Sequence, residues 1–166
     1  MDENIAKAHT LSSQFYTDSV FFEASKDKIF ARTWQFVTHK QDIRLSEQLL
    51  PCTLLPGFLD EPILLTRTKD NQLHCLSNVC THRGNILIEN PCTQSQIRCR
   101  YHGKRFKLDG TFVTMPEFSG VEDFPSERDH LPKVPFGDWH EEFLFAAIQP
   151  SVPLSEFLKG MTTRLS

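Results

Sequence analysis

The sequence predicts an antiparallel, mainly β domain with helical additions. Three observations carry that prediction. Short apolar runs of strand length recur between Trp34 and Ala147, bounded by Pro, Gly, Asn or Asp. One stretch near the start, Ser19 to Arg32, has helical spacing instead. The chain has 166 residues, 39% of them hydrophobic, which suits one domain with a sizeable core and argues against disorder. Phe is abundant (14) and Tyr scarce (2), so a core rich in aromatic packing is expected.

Residues 1–16 are polar and carry little pattern. Thr17 or Asp18 can cap the helix that follows, and Phe21, Phe22, Ile29 and Phe30 fall on one face of it. Trp34 to Thr38 alternates as a strand should. Leu49 to Leu55 is the next apolar run, ended by Pro56-Gly57. Pro62 to Thr68 and Gln72 to Leu76 form a hairpin around the polar turn Lys69-Asp70-Asn71. Ile97-Arg98-Cys99 and Thr111-Phe112-Val113 flank a second hairpin, with Asp109-Gly110 as its turn. Val134-Pro135-Phe136 and Phe143 to Ala147 suggest two more strands, and Leu154 to Met161 a short terminal helix. No internal repeat is present. The result is one antiparallel β domain over residues 1–166, led by a helical segment over 1–33, with the β core at 34–150.

Eighteen basic and 21 acidic side chains give a net charge of −3. No excess of either sign suggests a nucleic-acid or membrane partner. Met1-Asp2-Glu3-Asn4 lacks the basic-then-apolar pattern of a signal peptide. No apolar run approaches the roughly 20 residues of a membrane span. A cytoplasmic location is therefore expected. The five cysteines are Cys52, Cys75, Cys80, Cys92 and Cys99. An odd number without a secretory signal argues against a disulfide framework. Cys52, Cys75 and Cys92 read as small buried hydrophobes.

The other two cysteines lie in ligand-like spacings. Cys80-Thr81-His82-Arg83-Gly84 and Cys99-Arg100-Tyr101-His102-Gly103 are two short loops, with 16 residues between His82 and Cys99. Thiolate and imidazole suit both zinc and iron–sulfur centres, so residue type leaves two metals open. Structural zinc sites usually leave two to four residues between paired ligands, and Cys80-x-His82 is tight for that. A [2Fe–2S] cluster with two Cys on one iron and two His on the other accepts one of each from each loop. Gly84 and Gly103 permit positive φ and close backbone approach, and N–H groups in such loops can bond cluster sulfurs.

These two motifs resemble those of the Rieske non-heme iron oxygenase α subunits, the ring-hydroxylating dioxygenases and related monooxygenases. Tyr16 to Phe22, Ile29-Phe30 and Trp34 to Val37 are similar to the family's first helix and strand. Leu108-Asp109-Gly110 with Pro116-Glu117-Phe118, Leu131 to Val134 and Pro153 to Leu158 are similar to its later segments. The resemblance implies antiparallel sheets with a cluster-binding subdomain, here 78–116. It implies Cys80, His82, Cys99 and His102 as ligands of a Rieske [2Fe–2S] cluster, with Arg83, Gly84, Tyr101, Gly103 and Pro116 around them. It also implies partners: a reductase or ferredoxin as electron donor, and a mononuclear iron in an oxygenase catalytic domain or subunit as acceptor. None of His9, His39, His74, His130 and His140 makes the close pair that such an iron needs. Asp138, His140 and Glu141 come nearest and read as a solvated turn. The chain is therefore expected to be an oxidoreductase component that lacks the catalytic site. A free-standing Rieske ferredoxin and a structural zinc module are the alternatives.

Two departures from the family pattern have consequences. Arg100 stands where Pro is usual and Lys104 where Trp is frequent. With Arg83, Arg98 and Arg105 they predict a basic tip that docks an acidic partner. Respiratory-chain Rieske proteins add a disulfide between the loops, and Ser and Tyr hydroxyls near the second loop. This chain has no cysteine placed for that bridge, and Lys104 and Phe106 occupy the hydroxyl positions. A potential toward the low end of the Rieske range, about −150 mV, is expected.

Overall fold

Strand β3 (Glu61–Arg67) is covered on both faces. Its residues Ile63, Leu64, Leu65 and Thr66 are all fully buried. Side chains alternate sides along a strand, so the unbroken apolar run from Pro62 to Leu65 feeds two separate cores. Leu64 joins Leu49, Leu76, Ile97, Phe106, Leu108 and Leu131 on one side, and Cys80 and Cys99 belong to that same cluster. Ile63 and Leu65 join Ile43, Leu54, Cys75, Leu144 and Ala146 on the other. Thr66 is the polar member of the buried run, and its hydroxyl donates to the Leu108 carbonyl, which satisfies it.

In this computed structural model, which describes residues 3–118 and 120–165, the strands form three antiparallel sheets. The central one has the order β4 (Leu73–Ser77), β3, β2 (Gln48–Leu54), β5 (Cys92–Thr93). A second joins β1 (Gln35–His39), β10 (Phe143–Ala146) and β9 (Phe136–Trp139) in that order. The third is β6 (Ile97–Arg98), β7 (Arg105–Phe106) and β8 (Phe112–Thr114). The expected hairpin at residues 62–76 is present, with Arg67 opposite Leu73. The ends of the domain are tied together: Trp34 Nε1 donates to the Val152 carbonyl at 2.8 Å, and Gln149 N–H to the Ala31 carbonyl at 2.8 Å. Among the described residues, no helix is long and apolar enough to cross a membrane. Met1 and Asp2, read above for a leader pattern, lie outside the described residues.

The first expected helix is shorter than its apolar spacing suggested. Helix α2 spans Ser19–Lys28, and Phe30–Arg32 continues as a 3-10 turn. Asp18 caps it, accepting from Val20 N–H at 2.9 Å. The polar stretch before it holds an unexpected short helix, α1 (Ser13–Thr17), with no side-chain cap bond. The terminal helix is split into α3 (Leu154–Phe157) and α4 (Lys159–Leu165).

The second hairpin is corrected more deeply. β6 does not pair with β8; β7 lies between and pairs with both. Asp109-Gly110 closes β7 to β8, and the second Cys/His loop closes β6 to β7. A two-residue strand shows no alternation, so Arg105-Phe106 gave no period to find.

The aromatic core is also corrected. Among the described residues, Trp34 and Phe106 are the aromatic side chains in the buried core, which is otherwise largely Leu and Ile. Many phenylalanines cluster at the edges instead. Phe22 and Phe30 meet on Phe58 with ring centroids 5.0 and 4.8 Å apart.

Candidate metal centre

The two Cys/His loops have the same backbone. Gly84 N–H donates to the Cys80 carbonyl at 3.0 Å and Cys80 N–H to the Asn85 carbonyl at 2.8 Å. Gly103 N–H donates to the Cys99 carbonyl at 3.0 Å and Cys99 N–H to the Lys104 carbonyl at 2.8 Å. Each loop thus closes on its glycine, and the glycines have φ of +69° and +75°, a region Gly enters without steric cost. The cysteines coincide between the loops, but the histidines are offset by one residue.

Asn78, which is buried, anchors the first loop. Its Nδ2 donates to the Ile88 carbonyl at 2.8 Å and its Oδ1 accepts from Ile88 N–H at 3.0 Å. Pro116 lies against the second loop: a Cβ on Gly103 would stand 3.2 Å from Pro116 Cγ. Phe118 meets the His82 ring edge-on at 5.9 Å, and the exposed Tyr101 ring lies 3.8 Å from that of His102.

These loops bring together the four residues singled out by spacing, in two pairs. Cys80 and Cys99 are inner, each only 2% exposed. His82 and His102 are half-buried, with ring centroids 4.7 Å apart. Burial pushes the Cys80 thiol up and the neighbouring Cys99 adds to this, while the His82 backbone and Lys104 oppose it. Burial lowers the His82 ring, with His102, Arg83 and Lys104 adding repulsion. Both shifts follow from gathering such groups in one place.

Two features test the fit to a cluster. His102 Nδ1 is buried and has no hydrogen-bond partner. An orphaned buried acceptor is costly, and a metal bond removes that cost. The second is the donor set itself, two thiols in an inner pair and two imidazoles in an outer one. A single zinc ion needs all its ligands around one point; a two-iron centre takes them two and two. The residues present fit the second arrangement.

Arg83, Arg98, Arg100 and Arg105 are exposed, as a basic tip requires. Lys104 is not part of that tip. It is 1% exposed, because its ammonium turns inward to Asp129 and Thr81 at 2.8 and 2.9 Å. Of Asp138, His140 and Glu141, the first is exposed at the third position of β9. The last two are exposed at positive φ, in the turn between β9 and β10. Cys75 is buried, and Cys52 and Cys92 are half-buried; all five cysteines are free. Burial pushes the Cys75 thiol up to about 12 and the Cys52 thiol up to about 11, so both behave as inert apolar groups. Sequence reasoning missed Asn78, Thr81 and Asp129 around the loops.

Known proteins point the same way. The model of the family described as the Rieske [2Fe-2S] domain matches residues 33–125. The carnitine monooxygenase oxygenase subunit of Escherichia coli K12 is 30% identical over 149 residues, which are 89% of this chain and 38% of that protein. The chloroplastic choline monooxygenase of Arabidopsis thaliana is 30% identical over 135 residues, 81% of this chain and 31% of that one. The apo crystal structure of the quaternary ammonium Rieske monooxygenase CntA superposes with a TM-score of 0.82 at 29% identity, over 94% of this chain and 45% of that one. The chain thus spans less than half the length of these relatives. Its matched span, its sheets and its relatives agree: the chain belongs to the Rieske [2Fe–2S] domain family, and its relatives include oxygenase subunits.

Proposed function

We propose that this chain is the electron-relay domain of a ring-hydroxylating-type Rieske oxygenase. Cys80 and Cys99 would hold one iron of the cluster, and His82 and His102 the other. Residues 78–116 form the cluster-binding subdomain of a single domain spanning 1–166. When bound, a [2Fe–2S] cluster takes up and gives back one electron at a time. The observation that carries the reading is the paired placement of two thiols and two imidazoles on matched loops, with His102 Nδ1 left unpartnered.

The protein's own residues have three tasks. The buried thiols keep water from the inner side of the centre. The half-buried imidazoles face outward and offer a short path for electrons. Gly84 and Gly103 bring backbone N–H groups close to the centre. Neither Lys104 nor Phe106, both buried, offers a hydroxyl donor there, which supports a potential of about −150 mV.

The donor is a reductase or ferredoxin with an acidic face, and the acceptor is the mononuclear iron of an oxygenase catalytic domain or subunit. The exposed arginines support the donor's charge. Arg98 and Arg105 stand directly opposite each other across β6 and β7. Like charges so placed are destabilising, and docking an acidic surface relieves the repulsion.

Anaerobic loading with iron and sulfide tests the assignment. The wild-type chain is expected to turn brown and take up one electron in a dithionite titration. Cys80→Ser and Cys99→Ser are expected to retain little iron or sulfide. A colourless wild-type chain, or a Cys80→Ser chain that loads as fully as wild type, contradicts it.

A further inference from the structure

Lysine is almost never fully buried unless paired, yet Lys104 is 1% exposed. Its Nζ donates to Thr81 Oγ1 at 2.9 Å and to Asp129 Oδ1 at 2.8 Å. The rings of Phe106, Phe112 and Phe124 stand 5.6, 5.4 and 5.9 Å from that nitrogen, within reach of cation–π attraction. Thr81 also donates its hydroxyl to the Asp129 carbonyl at 3.1 Å. The other carboxylate oxygen of Asp129 accepts from Ser126 N–H at 2.9 Å and from its hydroxyl at 3.1 Å. One ammonium therefore joins three segments: the first loop between Cys80 and His82, the second loop just after Gly103, and the turn at 126–129.

The loops have no covalent link, since all five cysteines are free. β6 and β7 add only two residues of pairing each. Separating the loops would break the Thr81 bond and leave the desolvated ammonium with one partner fewer, which is strongly unfavourable. The bridge is thus a strict constraint on loop spacing.

We propose that Lys104 is a positioning residue for the centre: a salt-bridged staple that fixes the two loops against each other and whose charge favours the reduced state. This rests on the ligand assignment above. Reduction takes one electron from the reductant and adds one negative charge at the centre, with no proton moved at Lys104. A fixed cation between the loops stabilises that charge, and Asp129 offsets part of the effect. Lys104 follows the second loop, and its charge is felt across the gap in the first, where it opposes the rise of the Cys80 thiol and adds to the fall of the His82 ring.

The test compares wild type, Lys104→Met and Asp129→Asn, loaded with iron and sulfide and held at the same pH. Iron loss to a chelator is expected to be about tenfold faster in both variants. Lys104→Met is expected to lower the equilibrium constant for reduction about tenfold, which is about 59 mV for a one-electron couple. Asp129→Asn is expected to shift the potential the opposite way, because it removes only the negative partner. A purely structural role would move both potentials in one direction, and that result overturns the proposal. So does an unchanged rate of iron loss. If Lys104→Met fails to fold, the sign of the Asp129→Asn shift still decides. Failure of the ligand assignment reads differently: the wild-type chain then takes up no iron and sulfide. The staple is still tested in that case, because Lys104→Met must speed amide hydrogen exchange at Cys80 and Cys99 in the metal-free chain. Unchanged exchange there overturns it.

Discussion

Gly84 and Gly103 occupy equivalent places in their loops, yet they tolerate change differently. Both have positive φ, but a Cβ on Gly84 would meet open space, whereas one on Gly103 would press on Pro116. Gly84→Ala thus adds backbone strain of roughly 1–2 kcal/mol, and Gly103→Ala adds crowding to it. Thermal unfolding is expected to rank Gly103→Ala below Gly84→Ala; equal losses would contradict the close approach of Pro116. Asp129 gives a pH-dependent counterpart. Burial works to raise its carboxyl, but the bonds from Lys104 and Ser126 outweigh this and hold it below the ordinary 3.8. A lowered carboxylate stabilises the fold above its ordinary value, and that contribution is lost as the pH falls through the lowered one. The stability gap between wild type and Asp129→Asn is expected to narrow below pH 3.8 in acid titrations. At this scale the pairing of Cys80 and His82 with Cys99 and His102 on two neighbouring loops was legible, because Cys-x-His and Cys-x-x-His are spacings carried within single loops. The burial of Lys104 was not. Inside the run Arg98 to Arg105 it reads as one more solvated charge, and its partner Asp129 lies 25 residues away.

The elements divide by length. β3, β4 and β10 were legible because runs of four to seven residues with apolar filling carry their own signal. β5 and β7, at two residues each, exist because neighbouring strands pair with them. Helix α2 has no buried residues and is held instead by ring contacts. Phe22 and Phe30 both pack edge-on against Phe58, which lies in the turn after β2. Such pairs contribute about 0.5–1.5 kcal/mol each beyond area. Phe58→Ala is therefore expected to speed hydrogen exchange across Ser19–Lys28 while leaving β3 protected. Loss of protection in both would mean that the N-terminal helix and the central sheet unfold as one unit. The abundance of Phe misled in the same way. Composition gives the number of rings but not their place, and here they line the edges while Leu and Ile fill the two cores.

The whole molecule carries a net charge of −3, yet its exposed arginines at 83, 98, 100 and 105 lie on and beside the two cluster loops. On the proposed reading, an acidic donor would be steered to that face and repelled elsewhere. Screening shortens the reach of such fields from about 30 Å at 0.01 M salt to about 3 Å at 1 M. Stopped-flow reduction by an acidic ferredoxin is expected to slow steeply across that range, and less so for an Arg98→Gln/Arg105→Gln chain. A rate indifferent to salt would remove the docking role. All of this depends on the inner thiols and outer imidazoles sharing one two-iron centre. Pulsed low-temperature EPR of the reduced, iron- and sulfide-loaded chain tests that most directly. The expected spectrum shows couplings to two histidine nitrogens, with one set lost in His102→Ala. A cluster signal with no histidine coupling, or a colourless chain that binds zinc instead, would contradict it.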